Sequence, residues 1–313
     1  MDRPRPPLFT GEPFERLVAL LIALVALLAA LAGYLEATAG ARSDMALRNA
    51  QQYALQAVGT RTRGEINVGY ALSDAFRLWL EVDSQAAVAE LTGDSADAER
   101  YGVVRDTVAD LSPLLDSGYF DRENSSLPDI NAYESDIFMV QSVLLTEQFK
   151  HNFNAAEAWD GKAQRYVTHL TLLTVTLFLY GLSTTVVGRV GYWFMGIGTL
   201  ISTITLVWMV LVVLEPTPQL PEAAMVAYAE GVGLRHQDRY AEAVVAFEEA
   251  LTLAPEYADA YYEKARANFQ LRNYADSIND YRAAIDNGRE DTNTLWNLGW
   301  TYYIAGLLDA AID

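Results

Sequence analysis

Residues 17–35 read LVALLIALVALLAALAGYL, nineteen in a row without a charge. Coiled as a helix, this run rises about 28 Å, enough to cross the hydrocarbon core of a bilayer. Two more runs follow, Val167 to Val187 with 21 uncharged residues and Gly191 to Leu214 with 24. Only Gly188-Arg189-Val190 separates them, so they form a tight hairpin. Unpartnered backbone groups are too costly in lipid for any other lipid-exposed crossing, and all three runs are therefore predicted to be transmembrane helices. Around them lie an N-terminal arm (1–16), a long loop domain (36–166), a proline-rich spacer (215–223) and a C-terminal domain (224–313).

A secretory signal peptide is the rival reading of the first run, because Arg3, Arg5 and Arg16 precede it and Ala37-Thr38-Ala39 resembles a small-residue cleavage site. The apolar core exceeds the usual signal length of about 7–15 residues, which favours an uncleaved anchor. Arginine in the short flanks sets the expected sidedness. Three arginines in the arm and Arg189 in the hairpin favour those segments inside the cell membrane, with 36–166 and the C-terminal domain outside. Arg42, Arg48, Lys162 and Arg165 oppose this, with the smaller weight that long loops carry.

The 313 residues carry 41 acidic and 22 basic side chains, a net charge of −19. The excess sits in 36–166 and 215–313, each negative by 10. Such blocks repel phosphate backbones, which argues against a nucleic-acid partner, and they repel anionic lipid headgroups as well. With no cysteine, disulfides, thiol nucleophiles and thiolate metal sites are excluded.

Small residues recur at four-residue spacing at Ala19/Ala23, Ala26/Ala30 and Ala29/Gly33, and again at Gly198/Ser202 and Thr199/Thr203. They permit close helix packing, within one chain or in a homo-oligomer. Thr168, Thr171, Thr174 and Thr176 offer hydroxyls, but no Asp, Glu, Lys or Arg lies within a span, so packing is favoured over a conduction path. His169 reads as an interfacial histidine, with a pH sensor as the sharper alternative.

The loop domain has two prolines and almost no alternating pattern. It is expected to be helical, with breaks near Arg61-Thr62-Arg63-Gly64, Thr92-Gly93-Asp94 and Ser117 to Asp129. Ile130, Tyr133, Ile137, Val140 and Leu144 step by three and four, the seam of a packed helix that runs on into the second span. The first span continues outward in the same way through Ala57, which predicts a four-helix bundle with two shorter helices between. Acid clusters at Asp94/Asp97/Glu99 and Asp116/Asp121/Glu123 lack the spacing of a calcium loop and read as solvated faces. Glu147 and His151 read as a surface pair.

Beyond the spacer the sequence repeats itself every 34 residues: Gly231, Ala265 and Gly299; Tyr240, Tyr274 and Leu308; Ala243, Ser277 and Ala311; Phe247 and Tyr281. With Ala250, Ala284 and the closing Pro255, this resembles the tetratricopeptide repeat, a helix–turn–helix unit of that period. Ser277 stands where alanine is usual and Arg289 where proline is common. The last unit stops inside its second helix at Asp313, and a repeat array needs a polar terminal cap, so a truncated product or a longer native protein is expected.

The resemblance implies a concave face that binds a protein or peptide. It would display Tyr228, Val232 and Arg235, then Tyr262, Arg266 and Phe269, then Trp296, Trp300 and Tyr303. Some of these would instead be inter-unit core. The basic and asparagine clamp of chaperone-binding members is not reproduced, since Val232, Glu263 and Asn293 hold key places. No nucleotide loop, catalytic triad, metal motif or paired catalytic carboxylate is present, so no catalytic residue, metal or cofactor is assigned. The sequence thus predicts an all-α, non-enzymatic membrane scaffold that presents a repeat module. The alternative is a transmembrane sensor whose loop domain binds a ligand.

Overall fold

The computed structural model describes residues 12–122, 125–186 and 188–312. Expectations resting on Arg3, Arg5, Glu123, Val187 and Asp313 fall outside these residues. All the regular structure among the described residues is helical, without a strand. Helix α1 (Glu12–Tyr70) passes through a π-helical turn, Ala71–Phe76, into α2 (Arg77–Thr92), and α3 (Ser95–Asp110) follows. After a 3-10 turn at Pro113–Leu115 come α4 (Ile130–Glu134), a second π-helical turn at Ser135–Met139, α5 (Val140–Thr185) and α6 (Arg189–Leu214). Six shorter helices complete the chain: α7 (Glu222–His236), α8 (Tyr240–Leu253), α9 (Ala258–Gln270), α10 (Tyr274–Asp286), α11 (Thr292–Ile304) and α12 (Leu308–Ile312). Pro13–Thr92, Ile130–Thr185 and Arg189–Leu214 each contain a stretch long and apolar enough to cross a membrane.

The chain divides into two compact units. The first comprises the residues up to Ala50 with His151–Gln219. On α1 its buried residues Val18, Val25, Ala32 and Ala39 recur every seven, with Leu21, Leu28 and Leu35 half-buried between them. On α5, Ala163, Tyr166, Leu170, Leu173, Leu177 and Tyr180 follow the same three-four rhythm. The seam of α6 is Gly198, Ser202, Thr205, Met209 and Val212. The stripes of α1 and α5 share one core with Met209 and Val212 of α6. Ser43 Oγ donates to the Ala156 carbonyl at 2.9 Å, and the hydroxyls of Tyr180 and Thr199 meet at 3.1 Å. Gly198 lets the Tyr180 ring lie against α6, where a Cβ would stand 2.9 Å from Cε1.

The small-residue pairs therefore divide. Gly198 and Ser202 are spent inside this unit, whereas Ala19, Ala23, Ala26 and Ala30 face outward. Thr168, Thr171, Thr174 and Thr176 each donate to the carbonyl four residues back, so their hydroxyls are committed to their own helix. His169 is fully buried within this unit. It packs edge-on to Trp208 and beside Tyr166, because its position falls on the inner side of α5.

The second unit comprises Gln51–Lys150 and Leu220 onward. One of its cores joins Val68, Phe76, Trp79, Phe120, Tyr133 and Phe138, with Phe120 edge-on to both Phe76 and Trp79. The expected break at 61–64 is absent, and α1 runs straight through it. Gly64 is there for close approach, since a Cβ would collide with the Phe138 ring. The break at 92–94 is present: Gly93 adopts φ 78°, and Asp94 caps α3 by accepting from the Asp97 N–H.

Of the two shorter helices expected between 64 and 117, the second is α3 with the 3-10 turn at Pro113–Leu115, whereas the first is not separate: the end of α1 runs through the π-helical turn into α2 without a break. The seam from Ile130 also shifts. Tyr133 is buried, but Phe138 and Leu145 follow it inward in place of Ile137 and Leu144. The π-helical turn adds one residue to a helical turn, which moves every later side chain by one position. The turn at Ala71–Phe76 does the same on the opposing helix, where buried Ala71 and Phe76 stand five apart.

Candidate functional site

The repeats are built as helix pairs α7/α8, α9/α10 and α11/α12. Small residues set the approach within each pair. Gly231 lies against Phe247 so closely that a Cβ would stand 2.6 Å from the ring, and Phe247 is fully buried among Ala243, Ala250 and Ala224. In the second pair Ala265 and Tyr281 hold these places. Ser277, the departure from alanine, donates its hydroxyl to the Ala265 carbonyl at 2.8 Å. Below it Asp280 accepts from Asn268 at 2.9 Å and meets Lys264 at 3.3 Å. Burial raises the Asp280 pKa, and Lys264 and Asn268 oppose that rise.

The turn inside each pair needs a left-handed residue at a recurring position: Asp238 at φ 59°, Arg272 at φ 63° and Gly306 at φ 80°. Only the third carries the glycine that announces such a turn in sequence. Arg289, in the place of proline, pairs with Asp259, meets Asp291 at 3.3 Å and covers the Tyr262 ring at 3.8 Å. It ties the second and third units together.

The first end of the array is closed by residues 134–150. Gly233 is buried against them, and a Cβ there would meet Val140 at 2.5 Å and the Ser135 hydroxyl at 2.6 Å. Val143 packs into the core of the first pair. Polar clamps flank this contact. Glu134 meets His236 Nε2 at 2.9 Å, and buried Glu147 accepts from the Tyr257 hydroxyl at 2.7 Å and from Lys150 at 2.8 Å. Lys150 also reaches Asp259 at 2.9 Å. Burial works against the charge of Lys150, but Glu147 and Asp259 outweigh it and raise its pKa. Burial, then the nearby carboxylates, push the phenols of Tyr228 and Tyr257 upward, so both stay protonated. Glu147, expected at the surface, is thus a buried anchor.

Gly233, Ala267 and Thr301 are one repeat position and all are buried. Ala267 is covered by the first pair, so the 134–150 segment stands where a preceding unit would. It fills the capping role that a repeat array requires.

The residues expected on the concave face are not equally available. Tyr228 is 6% exposed, tilted against Phe247 and Tyr257. Tyr262 is 7% exposed, T-shaped to Tyr281, and its hydroxyl accepts from Asn297 at 2.9 Å. Arg235 and Arg266 converge on Glu263, at 2.9 and 3.1 Å. Phe269 is half-buried on Tyr274. By contrast Trp296, Trp300 and Tyr303 stand open together, with the Trp300 and Tyr303 rings stacked 5.4 Å apart. With Leu295, Gly299 and Leu308 they line an open groove of about 900 Å³.

No curated protein and no solved structure matches the chain. A family model of the tetratricopeptide repeat matches residues 228–292 and 262–313. Residues 228–313 are therefore a tetratricopeptide repeat region, the part of this chain whose family is established.

Proposed function

We propose that this protein is an integral membrane scaffold whose repeat region recruits another protein through the aromatic face of its third unit. The observation that carries the reading is the tetratricopeptide repeat region at 228–313, a module that generally binds protein partners, with Trp300 and Tyr303 stacked on its third unit beside Trp296. Adjacent aromatic anchors in a concave, mostly apolar site are what protein recognition uses.

The three apolar helices with matched seams support the membrane reading. In it, Arg16 and Arg189 mark the cytoplasmic side of a bacterial-type cell membrane, and the repeats lie outside. A photo-crosslinking residue placed at position 300 of the full chain in its native membrane should yield a discrete heterologous adduct. Trp296→Ala with Tyr303→Ala should remove it while leaving the melting of the repeat region in place. Absence of any adduct from position 300, or an adduct that survives the double substitution, would refute the recruiting face.

A further inference from the structure

At the end of the first unit where α6 stops, Trp159 is gripped by two cations. The Arg42 guanidinium lies 4.5 Å from its ring centroid and the Lys162 ammonium 5.1 Å. Lys162 is only 5% exposed, and it donates to the Glu215 carbonyl at 2.5 Å. The carboxylate of Glu215 is already taken by Arg165 at 2.6 Å. Among the described residues no carboxylate comes within 4.0 Å of Arg42 or Lys162.

A desolvated ammonium with one carbonyl for company is an incomplete arrangement, because a buried charge needs a counter-charge. These side chains border an open cavity of about 610 Å³, with Val213, Gln219 and Glu215, whose carboxylate is held by Arg165, on its other walls.

We propose that this cavity binds the phosphate of an anionic phospholipid headgroup. A guanidinium and an ammonium on one wall match a phosphate oxyanion in charge and in donor count. The depth is right as well. Lys162 stands five residues before the apolar run that begins at Val167, about 7.5 Å of helical rise, within the headgroup layer flanking the hydrocarbon core. Val213 lies inside the third apolar run and offers the acyl-facing wall. A free phosphate would satisfy the same donors, but it has no use for Val213 or for this depth. The net charge of −19 argues against loose anion attraction, so a preference for anionic lipid would come from this local pair of cations. The inference rests on the helices being membrane spans, which detergent-free fractionation tests separately.

The full chain in a neutral detergent, titrated by native mass spectrometry with phosphatidylglycerol, phosphatidylcholine or inorganic phosphate, decides the matter. One phosphatidylglycerol should be retained roughly tenfold more tightly than phosphatidylcholine, with inorganic phosphate failing to displace it at matched concentration. Arg42→Gln with Lys162→Gln should abolish that preference. Arg42→Gln alone, at an exposed position that folding tolerates, should reduce it several-fold, and Lys162→Arg should preserve it. Equal retention of the two lipids by the unaltered chain, or an undiminished preference in Arg42→Gln, would overturn the proposal. Displacement by inorganic phosphate would overturn the lipid as the source of the anion.

Discussion

Tyr228 and Trp296 hold the same place in their repeats, 68 residues apart, yet one is 6% exposed and the other 72%. The first unit has neighbours on both sides, residues 134–150 before it and α9 after it. Within the third unit the described part of α12 leaves the Trp296 face uncovered. Repeat position decides which way a side chain points, while the next layer of helices decides whether it becomes core. Aromatic character alone therefore does not separate an anchor for a partner from a filler between units.

The largest effect should come from emptying the covered end. Phe247→Ala removes a fully buried ring and should cost about 3–5 kcal/mol, read as a lower melting temperature of the repeat region. Trp300→Ala, at an exposed position, should stay within about 0.5 kcal/mol. Equal costs would erase the distinction between the buried and the exposed ring.

The cap itself can be locked. Ser135→Cys with Gly233→Cys would place the two Cβ atoms 4.0 Å apart, inside the usual disulfide span of about 3.5–4.5 Å, in a chain with no native cysteine to compete. Oxidation of the full chain, with Val140→Ala added to make room for the new Cβ, should close this bond and shift its mobility on a non-reducing gel. Failure to form it would remove residues 134–150 from the first end.

The smallest effect concerns how the two ends start their helices. Asp291 caps α11, accepting from the Thr294 N–H at 2.9 Å, whereas α7 begins after Pro221 without a side-chain cap. Asp291→Ala should cost about 1 kcal/mol. The Thr294 N–H first, with its hydroxyl and Arg289, holds the Asp291 pKa below the ordinary value. A depressed carboxylate stabilises the fold fully above its unfolded pKa of about 3.9 and loses that contribution as pH falls through the lower folded value. Hydrogen exchange should therefore show α11 loosening under acid in the native chain and no such added loss in Asp291→Ala.

Much of this was legible in the sequence. The 34-residue period located the helix pairs because Gly231, Ala265 and Phe247 are choices that close packing enforces. Charge-free length located the three apolar helices, whose seven-residue rhythm at Val18, Val25, Ala32 and Ala39 was available too, masked by leucines on every side.

Four features escaped for physical reasons. A π-helical turn has no composition of its own, so nothing around Ser135 or Ala71 announced the one-residue slip that buries Phe138 instead of Ile137. Gly64 looked like a helix breaker, whereas its role is set by Phe138 on another helix. The burial of Tyr228 and Tyr262 likewise depends on layers that periodicity alone does not count, and the pairing of Arg42 and Lys162 over Trp159 joins segments more than a hundred residues apart.

The contact of Ser135 with Gly233 carries a parity. Between these two residues the polypeptide traverses α5 and α6, both long and apolar enough to pierce a bilayer. An even number of crossings returns the chain to the face it left, and an odd number would strand the two residues on opposite sides. Under the proposed membrane reading, the packing of a single glycine thus doubles as a check on how the hairpin is inserted.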